Sequence, residues 1–544
     1  FLCLFLLSGN TLKKWQRYTY GAVVLLETIA LYFTATRGAI LGLIGGVFLA
    51  SIIVAWKERE NKTVRKISYS LLGLVFAVVL LFIAVKNTTY VSKSPVLSRF
   101  STLSFAEAKT QGRYFVWPMA AKGFIENPLL GWGQEGFNFV FNKYYDPRMY
   151  NQEPWFDRTH DIFLDWLIAG GLLGLLGYIS MYIALMYYVL RKESKLSSIE
   201  KSVFIGMLSA YIFHNIFVFD NLVSYILFFT ILAFIHSTNS GAKSKDNIFY
   251  KKIFSGEVLN YFALPSIVVL TIVMVYMVNI PAIKANTTLI QAISPQAGGD
   301  VTKNLELFKK AYSYNSFGYD EITEQMVQTS AAISTQNVPD TIKKQFQSLA
   351  EEKILEKLNK TPHDARYLVF AGSYFNQLGR YDDAIKYLER ALVESPRKLT
   401  ILFELGTSYI RKGDNQKMFD LFKKAYELQP NAQEAINIYA LGAIYTKNIT
   451  VQNELKDKIN PSIIINDNRF LSAYSAVGDY NDDIEIINTR LKDDPKNAQY
   501  KLTLASVYAT IGQKQKAIDI LNNILVDHPE YKTEVEGYIK QVQG

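Results

Sequence analysis

The sequence predicts an all-α protein in two parts: a polytopic bundle of transmembrane helices, followed by a solenoid of helical repeats. Two observations lead to this fold class. Long apolar runs recur along the 544-residue chain as far as Ile280 and then stop, and beyond that point glycines and prolines recur at a spacing of 34 residues. The mean hydropathy of +0.07 is therefore an average over two unlike halves.

Composition excludes several other classes of protein. Hydrophobic residues make up 49% of the chain and charged residues only 20%, which excludes global disorder. The single Cys excludes both an intrachain disulfide framework and a zinc site built from cysteines. The net charge of +9 would suit nucleic-acid binding only if the Lys and Arg residues formed one patch.

Seven apolar runs account for the predicted bundle, since a helix that crosses a bilayer needs about 20 mostly apolar residues. Buried core helices of a soluble protein are the alternative, but seven such runs would need a very large polar shell. The runs are Tyr18–Thr36, Gly38–Trp56, Ile67–Val85, Ile162–Leu190, Val203–Phe219, Leu222–His236 and Leu259–Ile280. Phe1–Leu7 is similar to the end of an eighth. Because a starting Met and a signal peptide are missing, we expect an N-terminally truncated fragment that lacks its earlier helices.

Lys and Arg in the loops orient the bundle, because short cytoplasmic loops carry an excess of both residues. Four such loops alternate along the chain, so all four can face the cytoplasm together. They lie at residues 13–17, 57–66, 191–201 and 243–252. The turn at Arg37, the long loop 86–160 and the tail after Ile280 then lie outside. Much of the positive charge is accordingly a topological signal, and we expect no nucleic-acid partner.

The polar second half resembles a tetratricopeptide repeat (TPR) array, whose repeat is 34 residues long. Gly379 and Gly413 show this spacing, and so do Gly478 and Gly512. Pro396 and Pro430 show it too, as do Pro495 and Pro529. Small residues let paired helices approach, and Gly and Pro end each helix. We therefore expect a TPR-type α-solenoid that offers its surface to a protein partner.

The domains predicted from these patterns divide the chain into five segments. They are transmembrane helices in residues 1–85 (the first one partial), an extracytoplasmic loop in 86–160, further transmembrane helices in 161–280, a linker in 281–303 and the repeats in 304–544.

Ionisable residues within or beside the spans are candidates for function. Glu27 lies inside the first full span, Arg37 lies between two spans, and His214 and Asp220 lie near an outer end. For Arg37 the alternative explanation is a side chain that only reaches the interface. His214 is better explained as a structural hydrogen-bonding group than as a catalyst.

The outer loop is the segment richest in functional side chains. It contains the stretch from Gln111 to Trp117 with Arg113, the turn Asn127–Gly133, and Thr159-His160-Asp161 at its end. Arginine binds phosphate oxygens in pairs, aromatic faces stack on sugar rings, and a histidine can take a proton from a hydroxyl. The loop therefore predicts a site for an anionic, sugar-bearing lipid. The alternative is a folded cap that only packs on the bundle.

Other catalytic patterns find no support. The sequence contains no Gly-rich phosphate loop ending in Lys-Ser/Thr, no Gly-x-Ser-x-Gly elbow and no His-Glu-x-x-His. Asp-x-Asp pairs that could bind a metal are absent from the outer loop, so a metal-dependent glycosyl transfer is not indicated.

Four of these motifs, in this order, resemble the O-antigen ligase and O-antigen polymerase superfamily over about Tyr18–His236. They are Thr36-Arg37-Gly38 before a Gly-rich span, Gly-Arg-x-x-x-Trp at 112–117, Asn-Pro-Leu-Leu-Gly-Trp-Gly at 127–133, and His160 before Gly-Gly-Leu-Leu-Gly at 170–174. The resemblance implies a multi-pass enzyme of the bacterial cytoplasmic (inner) membrane. It would transfer a glycan from undecaprenyl diphosphate to an acceptor glycolipid, glycan or protein on the outer face, with no metal or cofactor. Ligation to lipid A core, polymerisation and protein O-glycosylation all remain open. A membrane-anchored TPR scaffold without catalysis is the alternative.

The resemblance also implies roles for individual residues. Arg37 and Arg113 match the two essential arginines of the family, which would bind the diphosphate and stabilise it as a leaving group. His160 matches the histidine at the loop end and would position or deprotonate the acceptor hydroxyl. Arg158 would be a further phosphate contact and Trp117 a contact for the glycan. The family commonly shows His-Asn at the loop end, whereas Asp161 follows His160 here. The neighbouring carboxylate is expected to affect how well His160 serves as a neutral base.

Overall fold

The computed structural model describes residues 13–104, 107, 109–239 and 259–543, and every regular element within these ranges is helical. The all-α fold class predicted from the sequence is thus confirmed. The chain divides into two compact units, one comprising Phe1–Tyr144 and Gln152–Ile280, the other Tyr145–Asn151 and Pro281–Gly544. Two predicted features, the partial span Phe1–Leu7 and the basic loop 243–252, lie outside the described residues.

The described part of the first unit contains eight helices of seven or more residues before its last apolar helix. They are α1 (Lys14–Phe33), α2 (Arg37–Lys57), α3 (Lys62–Val85), α4 (Gly112–Glu126), α5 (Phe137–Lys143), α6 (Ile162–Leu190), α7 (Ser198–Asn215) and α8 (Leu222–Asn239). Shorter helical turns lie at Thr89–Lys93 and Ser98–Ser101. After a π-helical turn at Leu259–Ala263, α9 runs from Leu264 to Ile293.

Four described helices are long and apolar enough to cross a membrane. They are α2, α3, α6 and the helical stretch Asn260–Ile293, which includes α9; Leu222–Thr238 is apolar but shorter. Two predicted spans form helices, α1 and α7, that do not reach this apolarity. The helix α1 includes Glu27, and α7 begins with a polar first turn around Glu200. Of the seven predicted spans, four are therefore supported in the described part of the chain.

The helices α2 and α7 approach closely along a stripe of small residues. A Cβ atom at Gly42 would lie 2.8 Å from the carbonyl oxygen of Ala210, and one at Gly46 would lie 2.5 Å from that of Gly206. Small residues spaced by one helical turn permit such contact, which stabilises helix pairs in lipid. Because α2 begins at Arg37, this packing places the start of α2 next to the end of α7.

The second unit is built mainly from successive helices of the repeats. They are α10 (Val301–Ser313), α11 (Tyr319–Ser334), α12 (Asp340–Lys360), α13 (Ala365–Gln377), α14 (Tyr381–Glu394), α15 (Leu399–Lys412), α16 (Asn415–Leu428), α17 (Gln433–Tyr445), α18 (Ile449–Leu455), α19 (Pro461–Asn466), α20 (Asn468–Val477), α21 (Tyr480–Asp493), α22 (Ala498–Thr510), α23 (Lys514–Asp527) and α24 (Lys532–Gln543). Residues 281–303, predicted as a linker, include the end of α9, which continues through Pro281 as far as Ile293.

Packing within the repeats follows the spacing seen in the sequence. A Cβ atom at Gly372 would collide with the side chain of Leu388, and one at Gly406 with Phe422, so each glycine makes room for a large residue of the next helix. The four predicted turn glycines, from Gly379 to Gly512, all have a positive φ of 72–82°. Glycine reaches this left-handed region without steric cost, which explains why it ends the first helix of each pair.

Candidate active site

Arg37 opens α2, directly after Thr36, whose backbone is extended. Two guanidinium nitrogens of Arg37 each lie 3.0 Å from Oε1 of Glu107, and one of them also donates to Oγ1 of Thr102 at 3.2 Å. The side chain of Arg37 is 21% exposed, so solvent screens this ion pair only in part. A carboxylate 70 residues away in the sequence therefore orients the first predicted arginine.

Arg113, in the first turn of α4, is the second arginine of the site. Burial lowers its pKa, and the nearby positive charge of Arg37 lowers it further. Among the described residues Arg113 forms no salt bridge, and its Nε atom is buried without a hydrogen-bond partner. The two arginines together carry one more positive charge than Glu107 neutralises, and such a partly buried excess favours an anionic ligand.

The turn between α7 and α8, residues 216–221, brings two aromatic rings to the predicted residues. The ring centre of Phe217 lies 5.9 Å from the guanidinium carbon of Arg113. The ring centre of Phe219 lies 5.9 Å from the guanidinium carbon of Arg158 and 5.4 Å from the ring centre of His160. One turn thus contacts three of the predicted site residues, although α7 and α8 lie far from them in the sequence.

His160 occupies a left-handed backbone conformation, with φ of 59°. Its Nδ1 atom lies 3.3 Å from the carbonyl oxygen of Arg158, and its ring meets that of Phe156 edge-on at 5.6 Å. A carbonyl oxygen only accepts hydrogen bonds, so this long contact favours a proton on Nδ1. The neutral ring then carries its lone pair on Nε2, which is the form that a general base needs.

Asp161, the residue after His160, caps the start of α6. Oδ1 of Asp161 accepts the backbone N–H groups of Phe163 at 2.9 Å and Leu164 at 3.2 Å, which caps α6. Burial raises the pKa of Asp161, while these backbone hydrogen bonds oppose the rise. The capping role explains the departure from the expected His-Asn pair, because Asn and Asp are about equally good at this position.

Hydrogen bonds of Thr159 and Trp117 fix the end of the loop next to His160. The backbone N–H and the hydroxyl of Thr159 both donate to Oδ1 of Asp165, at 2.7 Å and 2.8 Å. Nε1 of Trp117 donates to the carbonyl oxygen of Thr159 at 3.2 Å. Since Trp117 lies one helical turn after Arg113 on α4, this bond links the arginine helix to the histidine.

Arg158 is more exposed than Arg37, with 34% of its side chain exposed. Its guanidinium donates to Oε1 of Glu135 at 2.7 Å. An exposed ion pair of this kind contributes little stability, so Arg158 can exchange Glu135 for another anion at small cost.

Two glycine motifs, predicted separately, form one structural unit. The backbone N–H of Trp132 donates to the carbonyl oxygen of Ile168 at 2.7 Å, and that of Leu172 donates to Pro128 at 2.8 Å. A Cβ atom at Gly171 would collide with the backbone of Leu129, and Gly171 has a φ of 61° that interrupts α6. The turn 127–133 therefore docks against the break in α6, close to the helix start that follows His160.

A buried hydrogen-bond network supports the turn that carries Phe217 and Phe219. The hydroxyl groups of Tyr178 and Tyr211 donate to the two carboxylate oxygens of Asp220, each at 2.7 Å, and Ser224 donates to one of them at 3.0 Å. Because these donors come from α6, α7 and α8, the network joins the three helices next to Phe219.

The structure brings Arg37, Arg113, Arg158, His160 and Trp117 into one connected set of contacts, whereas Glu27 is exposed on α1. Glu107, Phe217 and Phe219 were not among the residues predicted from the sequence. An acidic residue on the same loop as Arg113 was the available signal for Glu107. Among the described residues no group of three or more His, Cys, Asp or Glu side chains is placed to hold a metal ion. His214 packs near Gly38, with its Nδ1 atom 3.5 Å from where a Cβ atom would stand.

Comparisons with known proteins cover parts of both units. Residues 22–179 match the family model described as O-antigen ligase, and residues 355–433 match one described as tetratricopeptide repeat. No curated protein matches the chain.

Among the solved structures that are similar to it are two with tetratricopeptide repeats. A tetratricopeptide repeat protein from Parabacteroides merdae is 19% identical, over 40% of this chain and 88% of that chain, with a TM-score of 0.29. The TPR domain of P58(IPK) is 15% identical, over 48% of this chain and 78% of that chain, with a TM-score of 0.19. These TM-scores are too low to support an inference about function. The resemblance predicted from the sequence is confirmed by the two family matches, to the O-antigen ligase model at residues 22–179 and to the tetratricopeptide repeat model at residues 355–433.

Proposed function

We propose that this protein is a glycosyltransferase of the O-antigen ligase/polymerase type. It moves a glycan from undecaprenyl diphosphate to an acceptor hydroxyl at the outer face of the bacterial cytoplasmic membrane. The observation that carries the proposal is that Arg37, which pairs with Glu107, and Arg113, which has no described carboxylate partner, are both partly buried and close enough for their charges to interact. The loop 86–160 and the repeats from residue 304 onward both lie outside in this proposal.

The arginines bind and stabilise the diphosphate. Arg113 offers guanidinium N–H groups that no described carboxylate occupies, and Arg37 exchanges Glu107 for a phosphate oxygen. When the bond between C1 of the sugar and the phosphate oxygen breaks, that oxygen keeps the electron pair. Donors placed in advance around this developing charge lower the barrier. The positive charge comes from side chains, so the proposed step needs no metal ion.

His160 activates the acceptor. Its Nδ1–H is directed at the carbonyl oxygen of Arg158, so Nε2 is free to take the proton of an acceptor hydroxyl. The hydroxyl oxygen then forms the new bond to C1 as the diphosphate leaves. The loop conformation that presents His160 depends on the Thr159 contacts with Asp165 and Trp117.

Arg158 and Trp117 have supporting roles in this proposal. Arg158 lies at the edge of the site and contacts a phosphate after releasing Glu135. The indole N–H of Trp117 is engaged with Thr159, which leaves the ring face as the part that contacts a glycan. The repeats bind a protein partner that takes part in the assembly of the polysaccharide.

A transfer assay in membranes tests the proposal. Vesicles that contain the full chain are supplied with an undecaprenyl-diphosphate-linked glycan and an acceptor, and the transferred product is measured. We expect Arg37→Ala and His160→Ala each to abolish most transfer at wild-type expression, whereas Arg99→Ala, an exposed arginine of the same loop, retains it. Full activity of both site variants would reject the proposal. It would favour a membrane-anchored scaffold, which loses all function only when residues 304–544 are deleted.

A further inference from the structure

The outer loop contains one segment that does not belong to the membrane unit. Tyr145–Asn151 is part of the repeat unit, whereas the chain before it, up to Tyr144, and after it, from Gln152, is part of the membrane unit. The segment lies in the sequence between α4, which carries Arg113, and His160. The repeat unit therefore includes seven residues of the loop that bears the candidate site.

This segment has a defined structure of its own. Asp146 caps the short helical turn Pro147–Met149 by accepting the backbone N–H of Arg148 at 3.0 Å, and the Arg148 guanidinium lies 2.6 Å from Oδ2 of Asp146. Tyr145 is 3% exposed and Met149 is fully buried, while Arg148 is exposed. Alternate residues thus face the protein and the solvent, as in a peptide bound to a surface.

Two tyrosines of the segment contact residues at the start of α15. The ring of Tyr150 meets that of Phe403 edge-on, with 5.6 Å between the ring centres. Nζ of Lys398, the residue before α15, lies 5.3 Å from the ring centre of Tyr145. Burial, and then the charge of Arg366, lowers the pKa of Lys398 to about 6. At neutral pH the amine is therefore mostly uncharged, which suits its place against an aromatic ring.

Charges around the segment are complementary to it. Burial raises the pKa of Asp146, but its bonds with Arg148 and the charge of Arg397 outweigh burial, so the pKa lies below its ordinary value. Burial raises the pKa of Tyr150, and the charge of Glu434 adds to the rise. The acidic residue of the segment thus lies in the field of a repeat arginine, and its last tyrosine lies beside a repeat carboxylate.

We propose that the repeats carry a peptide-recognition surface, formed by Arg397, Lys398, Phe403 and Glu434, whose ligand is the chain's own segment Tyr145–Asn151. Bound there, the segment restrains the loop between Arg113 and His160. This inference is independent of the catalytic chemistry proposed above.

Hydrogen–deuterium exchange of the full chain in detergent tests the inference without any activity measurement. The backbone N–H groups of Arg148, Met149 and Tyr150 are all hydrogen-bonded within the segment, so their exchange reports its order. We expect Phe403→Ala to raise their exchange rate by about tenfold, since the ring contact and its burial are lost. Phe317→Ala, an equally drastic change at a residue that is 77% exposed in the repeats, should leave the rate unchanged.

A second variant distinguishes release of the segment from local unfolding of the repeats. Tyr150→Ala removes the same ring contact from the side of the segment, and it should raise exchange in the segment while the amides inside α15 stay protected. Wild-type exchange rates in both Phe403→Ala and Tyr150→Ala would overturn the inference. If exchange rises in both while transfer of glycan is absent in the wild type, the docking stands and the proposed function fails.

Discussion

Replacing Arg113 probes the electrostatics of the candidate site most directly. In Arg113→Ala the site loses a partly buried positive charge that lies close to Arg37 and has no salt-bridge partner among the described residues. Two unit charges about 4 Å apart interact by about 4 kcal/mol at the effective dielectric constant near a protein surface. A single donor to a developing oxyanion contributes about 10²–10³-fold to kcat.

We therefore expect kcat of Arg113→Ala to fall by about 10²–10³-fold. Arg113→Lys keeps the charge but not the paired N–H groups, so its loss should be smaller, about tenfold. The assay is transfer of glycan by the full chain in vesicles, normalised to the amount of folded protein. Arg99→Ala, an exposed arginine of the same loop, is the matched control. Transfer within a factor of two of wild type in Arg113→Ala would refute the assignment of the diphosphate to this arginine.

Three further predictions concern the folding of the site and of the repeats. Gly171→Ala should destabilise the chain by at least about 2 kcal/mol, because its Cβ would collide with the backbone of Leu129 and Gly171 has a positive φ. Gly170→Ala is the control and should not destabilise the chain, since the space around Gly170 is open. Equal thermal midpoints of the two variants in detergent would contradict the prediction. Asp161→Asn should change stability by less than about 0.5 kcal/mol and keep transfer activity, because Asp and Asn can both cap α6. Asp161→Ala, which removes the cap, should lower stability by about 1 kcal/mol. A large loss of transfer activity in Asp161→Asn would instead assign a role to the charge of Asp161. The pKa of Lys398 is about 6 in the folded chain against an ordinary value of 10.5, so the unfolded state binds its proton more tightly and stability should rise with pH between these values. Lys398→Met should therefore show a smaller rise of Tm from pH 6 to pH 10 than the wild type. An equal rise of Tm in the variant would contradict a buried, mostly neutral amine.

Local sequence patterns predicted the elements of this fold well. The apolar run Ile162–Leu190 coincides with α6 in the structure, and the 34-residue spacing placed the turn glycines that have a positive φ. Such features depend on residues that are neighbours along the chain, because helical periodicity, apolar length and backbone freedom are local properties. Within residues 281–303, predicted as a linker, Pro281 lies inside α9, because the apolar residues on either side of it continue the helix.

The arrangement of site residues was predicted only through motifs. Arg37, Arg113 and His160 were identified by their resemblance to a family, but neither arginine was predicted to have a partner within the chain. The carboxylate of Glu107 is 70 residues from Arg37, and the rings of Phe217 and Phe219 come from a turn that carries no motif. Pairing between distant residues depends on how helices pack, which periodicity does not encode.

Local patterns in the sequence were enough to specify the helical fold class, the division into an apolar and a polar half, the repeat length and the candidate site residues. Which of these residues contact one another depends on the tertiary structure. It joined the turn 127–133 to the break at Gly171, committed Asp161 to capping α6, and assigned Tyr145–Asn151 to the repeat unit. The physical reason is that composition and periodicity act over one or two helical turns. Contacts of packed helices instead join residues tens to hundreds of positions apart, and only the folded chain specifies them.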